Sequence, residues 1–492
     1  MITGASLNVL DYGADSTGVA DSTLGIQAAL TNAPSYSTID FAGGTYKTTA
    51  ALIVPVGTIG LVIQGNGATI NCAHNGDGLV LNSTNQNYSR HKVYDLRIKG
   101  PNVSFPANAV ELAGTSTGAG IKIGPNDTTN TCTAYLCTFI NCRVENFYWG
   151  VYMQNALMCQ FIGGNAFYNQ YGVYIDGGQT NANNFNGFTI RENRVQGIKS
   201  SGRTGGSLSN ATHNTWFGCE IETNIPYNLA AAAGGYPTSF DSTGVGTGIM
   251  LSNSYGFVFD GCYMENHNYS AWIDTGSDQN QFINMRFAPG GAANVRVAGV
   301  AIKGTSANNN VFQSCRMIAS DVTTANVLMD NAGQMNNQFL DCDGFNFVGL
   351  TGVPDVRNNK SYNGGGTVIS NIAAPATGRL NAFQGTGRAA LSGSTGSVTL
   401  NAQGLAEVAI SSGSGLTGNI TITSFTNLTN NSLFVLQMTQ STWTTTVQSG
   451  SMGTGALILL KSATNATMTV SGNMIAFWVN GLGTAIEIGR NF

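Results

Sequence analysis

The chain has 492 residues, too many for one compact core and enough for an elongated repeat plus a further domain. Charged residues are only 9% and the formal net charge is −4, so there is no basic stripe for nucleic acid, while 42% hydrophobic residues speak against disorder. No run of about 18 apolar residues occurs, so no membrane insertion is expected. The first residues also lack the basic and then apolar pattern of a secretory leader.

At the N-terminus, Asp21-Ser-Thr-Leu-Gly-Ile-Gln-Ala-Ala-Leu30 reads as a short helix. Asp21 or Ser22 serves as N-cap, and Leu24, Ile26, Ala28 and Leu30 offer an apolar face. A repeat then runs through most of the chain. An aromatic recurs at Phe139, Phe161, Phe185, Trp216, Phe259, Phe282, Phe312 and Phe339. Three residues later stand Cys142, Gly164, Phe188, Cys219, Cys262, Met285, Cys315 and Cys342. Two further on stand Val144, Ala166, Ile190, Ile221, Met264, Phe287, Met317 and Gly344. Between these strands lies Gly or Asn in most repeats (Asn141, Gly163, Gly187, Gly218, Gly261, Asn284), the types that tolerate a left-handed corner.

Most spacings run from 22 residues (Phe139 to Phe161) to 31 (Phe185 to Trp216). Only Trp216 to Phe259, at 43, is longer, because it holds the loop 224–248. One such period per turn predicts a three-sided parallel β-coil, each turn stacking at about 4.8 Å on the last with like residues on like. A further strand recurs in Gly172-Val-Tyr-Ile175, Gly248-Ile-Met-Leu251, Ala271-Trp-Ile273, Val300-Ala-Ile302 and Asn326-Val-Leu-Met329. Five of the nine Cys fall in one inward column, so free buried thiols are expected. An open coil end exposes core and strand edges, and the N-terminal helix supplies its cap.

The opening residues carry a specific likeness. Asn8-Val-Leu-Asp-Tyr-Gly-Ala-Asp15, Gly18-Val-Ala-Asp-Ser-Thr23, Ile26-Gln-Ala-Ala-Leu30 and Phe41-Ala-Gly-Gly-Thr-Tyr46 resemble the start of the pectate-lyase-like right-handed parallel β-helix family. Bacteriophage tailspikes and other polysaccharide enzymes share this start. The motif covers about 45 residues and speaks for fold rather than reaction; the repeat carries the likeness to about residue 350.

The expected organisation is an N-terminal cap at 1–34, a parallel β-helix at 35–350, a connector at 351–380 and a C-terminal antiparallel β-sandwich at 381–492. The last rests on short alternating strands such as Ser397-Val-Thr-Leu400, Leu433-Phe-Val-Leu436 and Met474-Ile-Ala-Phe-Trp-Val479. It resembles the tailspike domains used for trimerisation or sugar contact.

Alternation sends two columns outward. One reads Arg143, Asn165, Thr189, Glu220, Tyr263, Arg286, Arg316 and Asp343; the other reads Glu145, Phe167, Arg191, Glu222, Glu265, Ala288 and Ile318. In a chain so poor in charge, this face concentrates it. Glycoside hydrolysis needs an acid and a base or nucleophile, and close carboxylates raise one another's pKa. Glu220, Glu222 and Glu265 are therefore the candidate catalytic cluster, and a rigid groove with room for water favours inversion. Arg191, Tyr263, His267, Trp272, Asp274 and Arg286 are the candidate substrate-binding residues. Each has a plainer reading: Arg191–Glu222 as a solvated ion pair, Asp274 (with Asp176 and Asp330) as a turn residue, His267 as structural, Trp272 as core. Tyr263, His267 and Arg286 also suit a lyase acting on a uronate. The loop 224–248, with Tyr227, Tyr236 and Asp241, is long enough to wall a groove.

No zinc, phosphate-loop, calcium or serine-nucleophile motif stands out, so no metal and no cofactor is expected. The likeness implies a phage tailspike on the virion tail, a homotrimer attached to other tail proteins. It would bind and depolymerise a bacterial surface polysaccharide such as capsule or O-antigen. A polysaccharide lyase, a secreted pectin-active enzyme and a non-catalytic receptor-binding protein are the competing readings.

Overall fold

The computed structural model describes residues 4, 6–81, 89–101, 117–124, 134–177, 180–202, 211–225, 246–288, 296–303, 306–318, 322–329, 337–343, 345, 347–348 and 355–357. Beyond these it describes 396–401, 407–410, 419–426, 432–438, 445–449, 458–460, 465–469, 473–479 and 484–491. The chain divides into two units. The first comprises Met1–Met335 with Phe347–Gly352, the second Asn336–Asn346 with Val353–Phe492.

The first unit is a parallel β-coil with three sheets. One turn shows the plan: Gln160–Ile162 joins the first sheet, Asn165–Phe167 the second and Tyr171–Asp176 the third. The chain then returns to the first at Asn184–Asn186. The second and third sheets hold 11 strands each, which at 4.8 Å per turn gives a stack about 50 Å long.

The aromatic column sits in one register. Phe139 pairs with Phe161, Phe161 with Phe185, Phe185 with Trp216, Trp216 with Phe259, Phe259 with Phe282 and Phe282 with Phe312. Their rings stack with centroids 4.5–5.2 Å apart and planes within 14°. Each contact adds about 0.5–1.5 kcal/mol beyond burial. The corners after these strands have left-handed backbones, for example Asn141 (φ 51°), Gly187 (φ 60°) and Asn284 (φ 52°). Near the start of the third-sheet strands a column of glycines lets successive turns touch. A Cβ on Gly150, Gly172 or Gly197 would come within 2.5, 2.6 and 2.7 Å of the next turn's carbonyl oxygen.

The eight cysteines among the described residues are free and buried. Within the inward column, thiols donate to main-chain oxygens of the preceding turn, for example Cys219 to Phe185 at 3.4 Å, Cys262 to Trp216 at 3.6 Å and Cys315 to Phe282 at 3.1 Å. Burial pushes the Cys142 thiol up to about 12, so it stays protonated and unreactive.

The cap is the helix Thr23–Asn32. Its buried face is Ile26, Ala29 and Leu30, not the predicted Leu24, Ile26, Ala28 and Leu30; Leu24 is 82% exposed. Leu24 lies two residues before Ile26, about 200° around the helix, so the two cannot share a face. Ser22 is the N-cap position, but the capping oxygen is that of Asp21. Its carboxylate accepts from the Thr23 amide (3.0 Å) and from the hydroxyls of Thr23 and Thr49 (both 2.6 Å).

In the second unit, Gln338–Leu340 pairs in parallel with Asp355–Arg357. The rest of 351–380 lies outside the described residues. Two sheets follow, of four and five strands. Each has a buried row: Ile422, Val447 and Met468 in one, Leu436, Ile475, Phe477 and Ala485 in the other. The expected antiparallel pairing is corrected. Gly396–Asn401 with Ile420–Thr426 and Glu407–Ile410 with Ser432–Met438 are parallel, whereas Ser432–Met438 with Met474–Val479 is antiparallel. The period of two is the same for both directions, so alternation does not distinguish them.

Candidate active site

The outward columns of the second sheet lie in the register that the repeat requires. Glu220 pairs with Thr189 before it and Tyr263 after it; Glu222 pairs with Arg191 and Glu265; Arg286 follows Tyr263 and Ala288 follows Glu265. Glu220, Glu222, Glu265, Arg191, Tyr263 and Arg286 therefore share one face. Strands of three residues bounded by left-handed corners leave no freedom to slip, so each side chain's direction follows from its place in the turn.

Around the three carboxylates most interactions within this face join unlike groups. Arg191 lies 3.7 Å from the Glu222 carboxylate and 3.0 Å from that of Glu192. The Tyr263 hydroxyl donates to Glu265, and the Arg286 guanidinium lies over the Tyr263 ring at 5.5 Å. Thr189 donates to Glu220 at 3.5 Å. Further along, Glu145 is buried and bridges Arg97 and Arg143. Phe167 lies between Arg143 at 5.1 Å and Arg191 at 5.5 Å.

Burial raises the Glu222 carboxyl above its ordinary value. Arg191 opposes that shift, and the neighbouring charges of Glu220 and Glu265 add to it. Tyr263 is pushed up to about 12, by burial and then by its bond to Glu265, so its hydroxyl keeps its proton. The face thus holds a carboxyl biased toward the acid form beside a carboxylate that already accepts a hydrogen bond. That is the pairing that general acid–base chemistry requires.

Three predicted substrate-binding residues stand elsewhere. His267 is fully buried inside the coil. It occupies the position filled by Asn169, Asn193 and Asn224 in earlier turns. There each asparagine's main-chain and side-chain N–H groups donate to the next residue's Oδ1, as Asn193 does to Asn224 at 3.2 and 2.7 Å. Asn224 Nδ2 meets His267 Nε2 at 3.1 Å, so the histidine continues that ladder. Trp272 lies on the outward side of the third sheet but is 1% exposed, packed with Tyr269 and Ala301. The Lys303 ammonium lies 4.6 Å over its ring, so no sugar reaches it. Asp274 follows the third sheet, and its Oδ1 accepts from the Thr275 amide at 2.7 Å, a turn role. Residues 226–245, with Tyr227, Tyr236 and Asp241, lie outside the described residues, as do Asp330 and Gly344.

The third sheet also carries an aromatic cluster outside the predicted site residues: Trp149, Tyr152, Tyr171 and Tyr174, with Lys199. Its signal was present as Trp149-Gly-Val-Tyr152 and Tyr171-Gly-Val-Tyr174 in successive turns.

A three-sided parallel β-coil with an N-terminal helical cap defines the fold class. Among solved structures, the mannuronan C-5 epimerase AlgE6 A-module of Azotobacter vinelandii superposes with a TM-score of 0.50 at 13% identity. The match covers 72% of this chain and 99% of that module. ORF18 of Geobacillus virus E2 matches at 18% identity and TM-score 0.45, over 69% of this chain and 62% of that one. Tailspike protein 2 from Escherichia coli O157:H7 bacteriophage CAB120 matches at 10% identity and TM-score 0.47, over 73% and 46%. These neighbours are right-handed parallel β-helix proteins, the family that the opening motif resembles. No protein-family model and no curated protein sequence matches the chain.

Proposed function

We propose that this chain is a phage tailspike that binds a bacterial surface polysaccharide, capsule or O-antigen, and cleaves it as an endo-acting glycoside hydrolase. The observation carrying this reading is the Glu220–Glu222–Glu265 face with Tyr263, Arg191 and Arg286 around it. Glu222, the carboxyl raised by burial, protonates the leaving glycosidic oxygen. Glu265 activates the attacking water. Their strands are neighbours, about 4.8 Å apart, closer than inversion needs. However, Arg191 draws Glu222 toward the previous turn while Tyr263 draws Glu265 along its own strand. The two carboxyls are pulled in different directions, which supports inversion with a water between them. In this reading the protein works at the virion tail as a homotrimer joined to other tail proteins. Residues 351–380 link the coil to a C-terminal domain, 381–492, that serves trimerisation or sugar contact.

Lyase chemistry on the same face is the second reading, favoured by the Tyr263–Arg286 contact. Purified surface polysaccharides distinguish the two. New reducing ends alone indicate hydrolysis; reducing ends with the ultraviolet absorbance of unsaturated uronate indicate elimination. Binding with neither sinks the enzyme. Glu222→Gln and Glu265→Gln are each expected to lower kcat about a thousandfold with folding retained; full activity in both rejects this site. Cleavage needs protonated Glu222, so it falls as pH rises through that raised pKa. Arg191→Met removes the opposing charge and should move the alkaline limb to higher pH.

A further inference from the structure

Three successive turns carry the same short pattern on the third sheet: Trp149-Gly-Val-Tyr152, Tyr171-Gly-Val-Tyr174 and Gln196-Gly-Ile-Lys199. The register places Tyr152, Tyr174 and Lys199 in one outward row, with Trp149 beside Tyr171 at the strand starts. Trp149 and Tyr174 stack at 6.0 Å with planes 21° apart, and Tyr152 and Tyr171 flank Tyr174 at 5.6 and 6.1 Å. Trp149, Tyr171, Tyr174 and Lys199 are half-buried, so the platform is partly open to solvent. The platform spans about 10 Å along the coil axis.

The charges within it are uneven. Lys122 is neutralised by Asp77 at 3.0 Å. Asp176 accepts from the Tyr152 hydroxyl at 2.6 Å and from Gln154 at 3.3 Å. The Lys199 ammonium lies 4.9 Å from the Tyr171 ring centre and 5.6 Å from that of Tyr174. No carboxylate pairs with it among the described residues. Burial lowers its pKa, the mark of an ammonium short of solvent. An apolar protein surface laid over this patch would strand that charge, whereas a carboxylate would satisfy it.

We propose that this platform is a second saccharide site, separate from the carboxylate face, and that it takes a carboxylate-bearing sugar residue. The sugar's apolar face lies on the Trp149 and Tyr171 rings and its carboxylate meets Lys199. The inference rests on the polysaccharide-binding part of the reading above and not on cleavage.

The full-length protein is titrated with sodium glucuronate and with an oligogalacturonate, against glucose and maltotriose, following tryptophan fluorescence. Of the five tryptophans, Trp216 and Trp272 are buried and Trp443 and Trp478 belong to the second unit, so Trp149 should report, and Trp149→Phe should remove the response. Acidic sugars should change the signal and neutral ones should not. Lys199→Met should weaken binding about tenfold, the worth of one charge-assisted hydrogen bond, and Lys199→Arg should retain most of it. Circular dichroism checks that each variant folds. Equal responses to acidic and neutral sugars, or an unchanged affinity in folded Lys199→Met, overturn the proposal. So does a fall in molar mass by light scattering in Lys199→Glu, which would assign the face to another copy of the chain. Glu265→Gln should keep the glucuronate response while losing cleavage. If the native protein cleaves nothing yet responds to glucuronate, this site stands and the hydrolase reading falls.

Discussion

Inside the coil, like stacks on like: phenylalanine on phenylalanine, asparagine on asparagine. On the outward face of the second sheet most neighbours are unlike: Phe167 between two arginines, Arg191 against Glu222, Arg286 on Tyr263, with Glu222 beside Glu265 as the like-charged exception. The difference separates what the fold requires from what it merely permits. An inward position repeats every turn because its neighbours above and below occupy the same 4.8 Å slot, and identical shapes fill such slots best. An outward position has solvent on one side and no such demand. Three carboxylates gathered there in a chain that is 9% charged oppose folding through repulsion, and the fold offers no reason for them.

The largest test of this contrast sets two adjacent residues against each other. Trp216 is fully buried between Phe185 and Phe259; Phe217, next in sequence, points outward and is 52% exposed. Trp216→Ala should cost about 3–5 kcal/mol in denaturant unfolding, because a stacked slot cannot collapse around the cavity. Phe217→Ala should stay within about 0.5 kcal/mol. Comparable losses at both positions would break the division between required and permitted columns.

The same division decides what was legible in the sequence. The aromatic, cysteine and corner columns were readable because repetition marks them, and Asn141 and Gly187 lie in left-handed corners as their types suggest. The outward columns followed by counting from the inward ones, which brought Glu222 and Glu265 together although 43 residues separate them. Three things were not legible. The asparagine ladder was visible only as polar residues flanking each strand, where polarity reads as exposure. Trp272 lies in an outward row, yet packing over that row buries it, and periodicity within a strand carries no information about what covers it. Strand direction in the second unit is invisible to a period of two.

An intermediate effect is expected at the cap. The Asp21 carboxylate, holding three hydrogen bonds, is lowered from 3.8 to about 2, first by the Thr23 side chain and then by that of Thr49. A depressed folded-state pKa stabilises above the unfolded value, so this contribution is whole above about pH 4 and fades as pH falls through 2. Asp21→Asn should cost about 1 kcal/mol near neutrality, the difference between charge-assisted and neutral hydrogen bonds. The gap to the native protein should close between pH 4 and 2. A gap independent of pH would mean that Asp21 acts by shape and not by charge. This region repeats no pattern of the coil and belongs to neither side of the comparison, so its loss should shift unfolding without touching any outward residue.

The smallest expected effect is the sharpest, because it concerns a residue that sequence reasoning placed outside and the structure places inside. The Asn224 Oδ1 already receives both N–H groups of Asn193, and its Nδ2 donates to the Ile190 oxygen at 2.9 Å and toward His267 Nε2. His267 Nε2 is therefore the acceptor, and the ring proton sits on Nδ1. An asparagine at 267 would offer its Oδ1 to the same donor, as every earlier rung does. His267→Asn should thus leave stability within about 1 kcal/mol, with any loss coming from the smaller volume. Polysaccharide cleavage should be unchanged. His267→Leu, which offers no acceptor, should cost about 1–3 kcal/mol by leaving Asn224 Nδ2 without this partner. A collapse of cleavage in folded His267→Asn would return the histidine to the chemistry and put the inside of the coil, not its outer face, at the centre of function.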